Sequence, residues 1–334
     1  MNSVDVIVPC YKYGDLLTAC VDSILSQEGV EVRVLVVDDA SPDNTAEVAS
    51  QLASADARVE FWRHERNAGH IATYNEALEW VRSDYCMILS ADDLLCPFAL
   101  LRAARVMDAH PEVAFTYGRD VTFRHAPPVE TTPAPRHARH TIFQYAEFLE
   151  RSCRLGQTGI QSPTVVVRSS VHRAVGGYLP ELPHSGDTEI WLRLAARGTI
   201  GEIDADQAFR RLHAHNMSLG YSPLNRLAEQ MKAFETHLGT CAGAQPYAAT
   251  LLPVVKRTIG EAAFWGAAHA FDSSDDKACA EFLAYAVSLS PDLEASPAWR
   301  RLRWKRRIGR AGWRYLQPLA ARLRPAASTT SHGR

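Results

Sequence analysis

Apolar residues in the first third of the chain come in short runs separated by polar, turn-forming stretches, and the runs alternate between two periods. Val4 to Val8, Val32 to Val37, Val59 to Trp62 and Tyr85 to Leu89 are compact and rich in branched or aromatic residues, as strands require. Between them, Leu16, Leu17, Cys20, Val21, Ile24 and Leu25 recur every three or four residues, the spacing of a helix that buries one face, and Thr45 to Leu52 is a second helical stretch. This strand–helix–strand rhythm predicts an α/β fold with a mostly parallel central sheet flanked by helices. Residues 125–140, HAPPVETTPAPRHARH, have no apolar period and read as a loop over a cleft. A helix from Ile142 to Arg151, a β-type run from Thr164 to Val167 and a helix after Asp187 follow, and from Leu224 the pattern is wholly helical. The expected domains are therefore 1–222, with halves 1–110 and 111–222, and a helical C-terminal region 223–334.

Length and composition add bounds. At 334 residues the chain supports one sizeable domain with an appended region. No apolar run is long enough to span a bilayer and no signal-type segment opens the chain, so a cytoplasmic location is expected. The seven cysteines lack CxxC spacing, which argues against a zinc site or a disulfide framework. The formal charge of −2 conceals a segment from Arg300 to Arg324 with ten Lys or Arg and no acid. There the basic residues interleave with Trp304, Ile308, Trp313, Tyr315, Leu316 and Leu319, a mixture suited to peripheral membrane contact through 299–324 at the inner face of the cell membrane. Pro318 is expected to divide it into two helices. The competing reading is a solvated helix packed on the core through its tryptophans. No nucleic-acid-binding module is present, and no nucleic-acid partner is expected.

In open parallel sheets, ligands gather outside the carboxyl ends of the strands. Here those ends carry Pro9-Cys10-Tyr11, Asp38-Asp39 and Asp92-Asp93. Two adjacent carboxylates in a cleft cannot both stay ionised without a cation, and Mg²⁺ or Mn²⁺ held by one or two carboxylates and completed by phosphate oxygens would supply it. The same acids equally suit a helix cap near Pro97. Asp38 and Asp39 suit a turn as well as a hydrogen bond to a base or ribose, and Asn67-Ala68-Gly69 with Asn75 suits a turn followed by a helix.

Taken together, VIVPCY at 6–11, VVDDASPDNT at 36–45, NAGHIATYNEAL at 67–78 and LSADDLL at 89–95 resemble, in order and spacing, the family 2 glycosyltransferases of GT-A fold. The resemblance covers roughly the first 220 residues. It implies an inverting transferase using a UDP- or dTDP-sugar. Pro9 and Tyr11 would line the base pocket, Asp39 would bind the imide with Asp38 in support, and Asn67 and Asn75 would belong to the donor site. Asp92 would contact the ribose or sugar, and Asp93 would hold the metal. GGYLPELPHSGDTEIWLRLAARG resembles the family's acceptor motif, which makes Asp187 the general base and lets Glu189 contact the acceptor. FRRLHAHNMS at 209–218 resembles the stretch that closes the catalytic domain, so that Arg211 would meet the diphosphate and His213 would complete the metal shell. The residues themselves also allow Asp187 as a helix N-cap and His213 as a local hydrogen-bond partner.

Three positions depart from the family pattern: Ser90 for an acid, Tyr74 for an Arg, and Gly186 for a Glu. The charge missing at Tyr74 would fall to Arg66, His70 or a later loop. By family analogy the acceptor is a glycan, lipid-linked or protein hydroxyl in cell-surface assembly. The departures motivate a catalytically degenerate sugar-nucleotide-binding scaffold as the alternative. A nucleotidyltransferase is a further alternative, but it would be expected to carry a Gly-rich basic loop where Pro9-Cys10-Tyr11-Lys12 stands.

Overall fold

Strands β1 (Ser3–Cys10), β2 (Glu31–Asp38), β3 (Val59–Arg63) and β4 (Tyr85–Ile88) form the parallel half of a mixed, mostly parallel sheet. Their Val, Ile and Leu side chains are buried on both faces, because the intervening helices α1 (Gly14–Leu25), α2 (Thr45–Ala55) and α3 (His70–Leu78) cover the sheet. The described residues are 2–127, 135–214, 216 and 220–322 of this computed structural model, with side chains to Trp313. Strands β5 (Leu94–Leu95), β6 (Val113–Phe123), β7 (His140–Phe143), β8 (Val166–Arg168) and β9 (Thr199–Arg211) complete the order β3-β2-β1-β4-β8-β6-β9-β5, with β7 on β9. β8 enters antiparallel to both β4 and β6, and β6 runs parallel to β9. The α/β class and the flanking helices are as expected.

Local differences have local causes. The helix expected from Ile142 starts at Tyr145 (α5, Tyr145–Leu155), because His140–Phe143 pairs antiparallel with β9. The run Thr164–Val167 splits into a 3₁₀ turn, Ser162–Thr164, and β8, since Pro163 fixes its own φ and has no N–H for a ladder. Of the Pro-rich loop, 128–134 lie outside the described residues, whereas the carbonyls of Pro135 and Arg136 accept from Arg102 and Arg105 on α4 (Ala99–Ala109).

The chain forms two compact units, Met1–Val255 and Lys256–Arg334. The first also holds α6 (Ser169–Val175), α7 (Gly186–Ala195) and α8 (Pro223–Thr240). α8 buries Met231, Phe234 and Leu238, and its Gln230 donates to Thr188 on α7 at 2.9 Å. Helix α9 (Gln245–Asp272) begins in the first unit. The second unit is helical among its described residues. α10 (Asp276–Leu289) fits its Phe282 ring against Gly266 of α9, where a Cβ would lie 2.7 Å from that ring. Phe264 stacks on Trp299 of α11 (Pro297–Arg322) with ring centroids 5.4 Å apart. The break in α11 falls at Gly309 (φ 74°, ψ 166°) and not at Pro318, because a residue without Cβ adopts that backbone at little cost. No helix among the described residues is long and apolar enough to cross a membrane.

Candidate active site

One cavity of about 1250 Å³ opens along the carboxyl ends of β1, β2 and β4, and Pro9, Tyr11, Asp39, Asn67, Asp92, Asp93, Asp187, Arg211 and His213 all line it. The parallel register produces this convergence. Cys10 pairs with Asp38, so β1 and β2 end level, and Leu89 donates to the Ile7 carbonyl at 2.9 Å as β4 leaves the sheet.

At the β2 end, Asp38 is fully buried and does not line the cavity. One of its carboxylate oxygens accepts from the Ser41 amide at 2.9 Å, and the other lies 3.2 Å from the Arg63 guanidinium, its neighbour across the register. Asp38 therefore holds the turn instead of touching a ligand. Asp39 accepts from the amides of Ala68 (2.7 Å) and Gly69 (2.9 Å) and meets His64 Nδ1 at 2.7 Å, while Asn67 donates to the Asp39 carbonyl at 3.1 Å. The NAG turn is thus folded around this carboxylate. Gly69, at φ 83°, takes a conformation that disfavours other residues.

Asn75 does not reach the cavity. Its side-chain amide donates to the Tyr178 carbonyl at 2.9 Å and accepts from the Tyr178 amide at 2.7 Å, which clasps α3 to the GGY segment. A Cβ on Gly177 would lie 2.3 Å from Asn75 Oδ1, so this glycine is needed for the clasp. Glu189 is also turned inward. It is buried and forms a two-point ion pair with Arg193 (2.6 Å for each contact), and Arg193 in turn donates to the carbonyls of Val175 and Gly177. The expected acceptor contact by Glu189 is corrected: a carboxylate saturated by a guanidinium in the protein interior has no reach into the cavity.

The β4 end is built by β5, whose pairing with β9 sets Asp92 and Asp93 beside Arg210 and Arg211. The Arg211 amide donates to Asp93 Oδ1 at 2.9 Å, and its side chain donates to the Asp92 carbonyl at 3.1 Å while lying over the Phe123 ring. Asp92 Oδ2 meets His213 Nε2 at 3.0 Å and Asn216 Nδ2 at 3.1 Å. Burial and the neighbouring Asp92 charge raise the Asp93 pKa to about 7. That is the signature of a buried carboxylate pair short of positive charge. Among the described residues, Asp92 Oδ1 and Asp93 Oδ2 make no hydrogen bond, which leaves one oxygen of each acid for a hard cation. No group of three or more His, Cys, Asp or Glu is arranged to hold a metal among the described residues, so such a cation would draw most of its shell from phosphate and water. His213 Nε2 is engaged by Asp92 and not directed at a vacant position.

Asp187 sits in the first turn of α7, where Ser162 donates to its Oδ2. The N-cap of α7 is Ser185, so Asp187 is not the cap residue. Burial raises its pKa, while Ser162 and the positive potential of His70 oppose the rise. Two departures from the family pattern meet beside it. Tyr74 packs edge-on against Tyr178 (5.3 Å) and His70 (5.6 Å), and a Cβ on Gly186 would lie 3.2 Å from the Tyr178 ring. His70 Nε2 also meets the Pro183 carbonyl at 2.7 Å. Of the charges expected to stand in for the one Tyr74 lacks, Arg66 does not line the cavity and His70 does, together with Lys12, Arg124, Arg211 and the Asp120-paired Arg210.

The family description "Glycosyl transferase family 2" matches residues 5–174, half of the chain. The chain belongs to glycosyl transferase family 2. This family 2 glycosyltransferase is 27% identical over 219 residues to protein MT1568 of Mycobacterium tuberculosis, covering 62% of this chain and 66% of that one. It spans less than two thirds of the length of the curated relatives it matches, 14% and 31% in two further cases. Its fold is similar to Staphylococcus aureus TarS 1–349 in complex with UDP-GlcNAc (TM-score 0.55, 15% identity, 84% of this chain and 90% of that one). It is similar also to the Pyrobaculum calidifontis mannosyltransferase PcManGT in complex with GDP-Man and Mn²⁺ (TM-score 0.53, 16% identity, 95% and 84%).

His64, Arg124 and Ser162 carry no signal of a site role in the sequence, and Lys12 stands there only as part of the Pro9–Lys12 turn. Asn216 lay within the FRRLHAHNMS stretch and was discoverable there from its spacing to His213.

Proposed function

We propose that this glycosyltransferase moves a sugar from a UDP- or dTDP-sugar to a hydroxyl of a glycan, lipid-linked or protein acceptor, with inversion at the anomeric carbon and with Mn²⁺ or Mg²⁺ at Asp93. The observation that carries the reading is that Asp187, with one oxygen oriented by Ser162, lines the same cavity as the Asp92–Asp93 pair. A carboxylate whose proton affinity is raised by burial is a competent general base once ionised. Asp187 takes the acceptor hydroxyl proton as that oxygen bonds to the anomeric carbon, and the bond to the nucleoside diphosphate breaks with its electron pair on the departing phosphate. Attack opposite the leaving group inverts the centre.

At the other end, the Asp39 carboxylate accepts from three protein donors, and two carboxylate oxygens offer about four lone-pair sites. The remaining site suits the single N–H of a uracil or thymine imide, beside Pro9, Tyr11 and Asn67. Lys12, Arg124 and Arg211 oppose the diphosphate charge. A bound divalent cation would neutralise charge developing on the leaving diphosphate. The structures of TarS with UDP-GlcNAc and of PcManGT with GDP-Man and Mn²⁺ support a nucleotide-sugar donor through their shared fold.

The test is calorimetric titration with UDP, dTDP and GDP, each with manganese and then with EDTA. Metal-dependent binding of a pyrimidine diphosphate, lost in Asp93→Ala and Asp39→Ala, is expected; no binding to any nucleotide would sink the reading. Donor turnover that persists in Asp187→Ala would remove that residue as the base, and a product of retained anomeric configuration by NMR would remove inversion.

A further inference from the structure

Among the described side chains of the basic C-terminal segment, most of the apolar residues are turned inward. Trp299, Leu302 and Trp313 are buried, Phe264 stacks on Trp299, and Trp304 meets Trp313 edge-on at 5.8 Å. What α11 presents to solvent is a different stripe. Arg300, Arg303, Trp304 and Arg307 stand three or four residues apart on one helix face, all exposed, with Trp304 at 47%.

The basic residues of α11 with described side chains are used differently, and Arg306 lies within electrostatic reach of Asp276. Lys305 and Arg310 pair with Asp272 and Asp276, and Arg301 and Lys305 lie over the Trp313 ring, so these cations are used within the second unit. Arg300, Arg303 and Arg307 form no ion pair among the described residues. Three unpaired guanidinium groups around one exposed indole cost self-repulsion without returning stability to the fold. They match a surface that is anionic, extended and able to take a ring at its polar boundary.

From this charge complementarity we infer that the Arg300–Arg303–Trp304–Arg307 face docks on an anionic lipid bilayer, with the arginines at the headgroup phosphates and Trp304 at the interface. Because Trp299, Leu302 and Trp313 stay buried, the contact at this face is electrostatic and superficial. It is salt-sensitive for the same reason. This inference is independent of the catalytic assignments.

The test is flotation of the full chain with phosphatidylcholine vesicles containing ~30% phosphatidylglycerol, against pure phosphatidylcholine, at low and high salt. Expected is partition to the anionic vesicles only, abolished by salt, and falling about 100-fold in Arg300→Glu/Arg303→Glu/Arg307→Glu, since each basic residue contributes roughly fivefold. These exposed substitutions touch no buried contact, and an unchanged circular dichroism melt checks that the variant is folded. Equal partition to both vesicles, no partition to either, or undiminished partition of the folded variant overturns the proposal. So does low-salt binding of a random-sequence DNA duplex without vesicle binding.

Discussion

Two pairs of adjacent aspartates follow two buried parallel strands, and the protein treats them oppositely. Asp38 and Asp39 are surrounded by donors: the amides of Ser41, Ala68 and Gly69, the Arg63 guanidinium and the His64 ring. Asp92 and Asp93 receive His213, Asn216 and one backbone amide, and the Asp93 pKa stays raised to about 7 by burial and the charge of Asp92. The first pair uses its charge to fold a turn. The second retains a charge deficit that a ligand can fill. Identical dipeptides at equivalent strand ends thus differ in how many donors the tertiary structure delivers: Asp38 and Asp39 are folded into a turn, with Asp39 still facing the cavity, and Asp92 and Asp93 are left short of positive charge.

The largest effect expected from breaking this contrast is on catalysis. Asp93→Asn should lower transfer by about 10³-fold and abolish manganese-dependent nucleotide binding while the protein stays folded, as steady-state rates and calorimetry would measure. Asp39→Ala should act on folding as well. It leaves two amides and His64 without their acceptor, so denaturant unfolding should show a loss of about 3 kcal/mol together with weakened nucleotide binding. Retained stability in Asp39→Ala would mean that the anchor role is wrong.

Smaller is the pH dependence of the metal-free protein. The folded Asp93 pKa, about 7, lies above its ordinary value of 3.8, so the folded state holds more protons between these limits and stability falls as pH rises through that window. Asp93→Asn should therefore be more stable than the parent at pH 8, by on the order of 2 kcal/mol, and no more stable at pH 4. Added manganese should remove the parent's disadvantage at pH 8. Smallest is Ser162→Ala. Removing a donor that lowers the Asp187 pKa should move the alkaline-rising limb of kcat/KM to higher pH, with little change in nucleotide affinity.

Much of the fold was legible because it rests on short-range pattern. Val4 to Val8, Val32 to Val37 and the periodic Leu16–Leu25 stretch declare strand and helix by their own spacing. Legibility ended where one segment's role depends on another far away in sequence. Asn75 reads as donor-site polar surface until Gly177 and Tyr178 arrive against it. Glu189 reads as a free acid until Arg193 folds over it. Gly309, an unremarked glycine, takes the break assigned to Pro318, because backbone freedom, unlike a missing N–H, leaves no periodic trace.

By itself the sequence determined the α/β class, the glycosyltransferase family and the chemical inventory of the strand ends, since these follow from periodicity and from motif order along the chain. Only the tertiary structure decided which carboxylates are spent and which remain available. Hydrogen bonds to Asp38, Asp39, Asp93 and Asp187 come from residues between 3 and 118 positions away, and whether a buried charge is satisfied depends on that three-dimensional supply of donors.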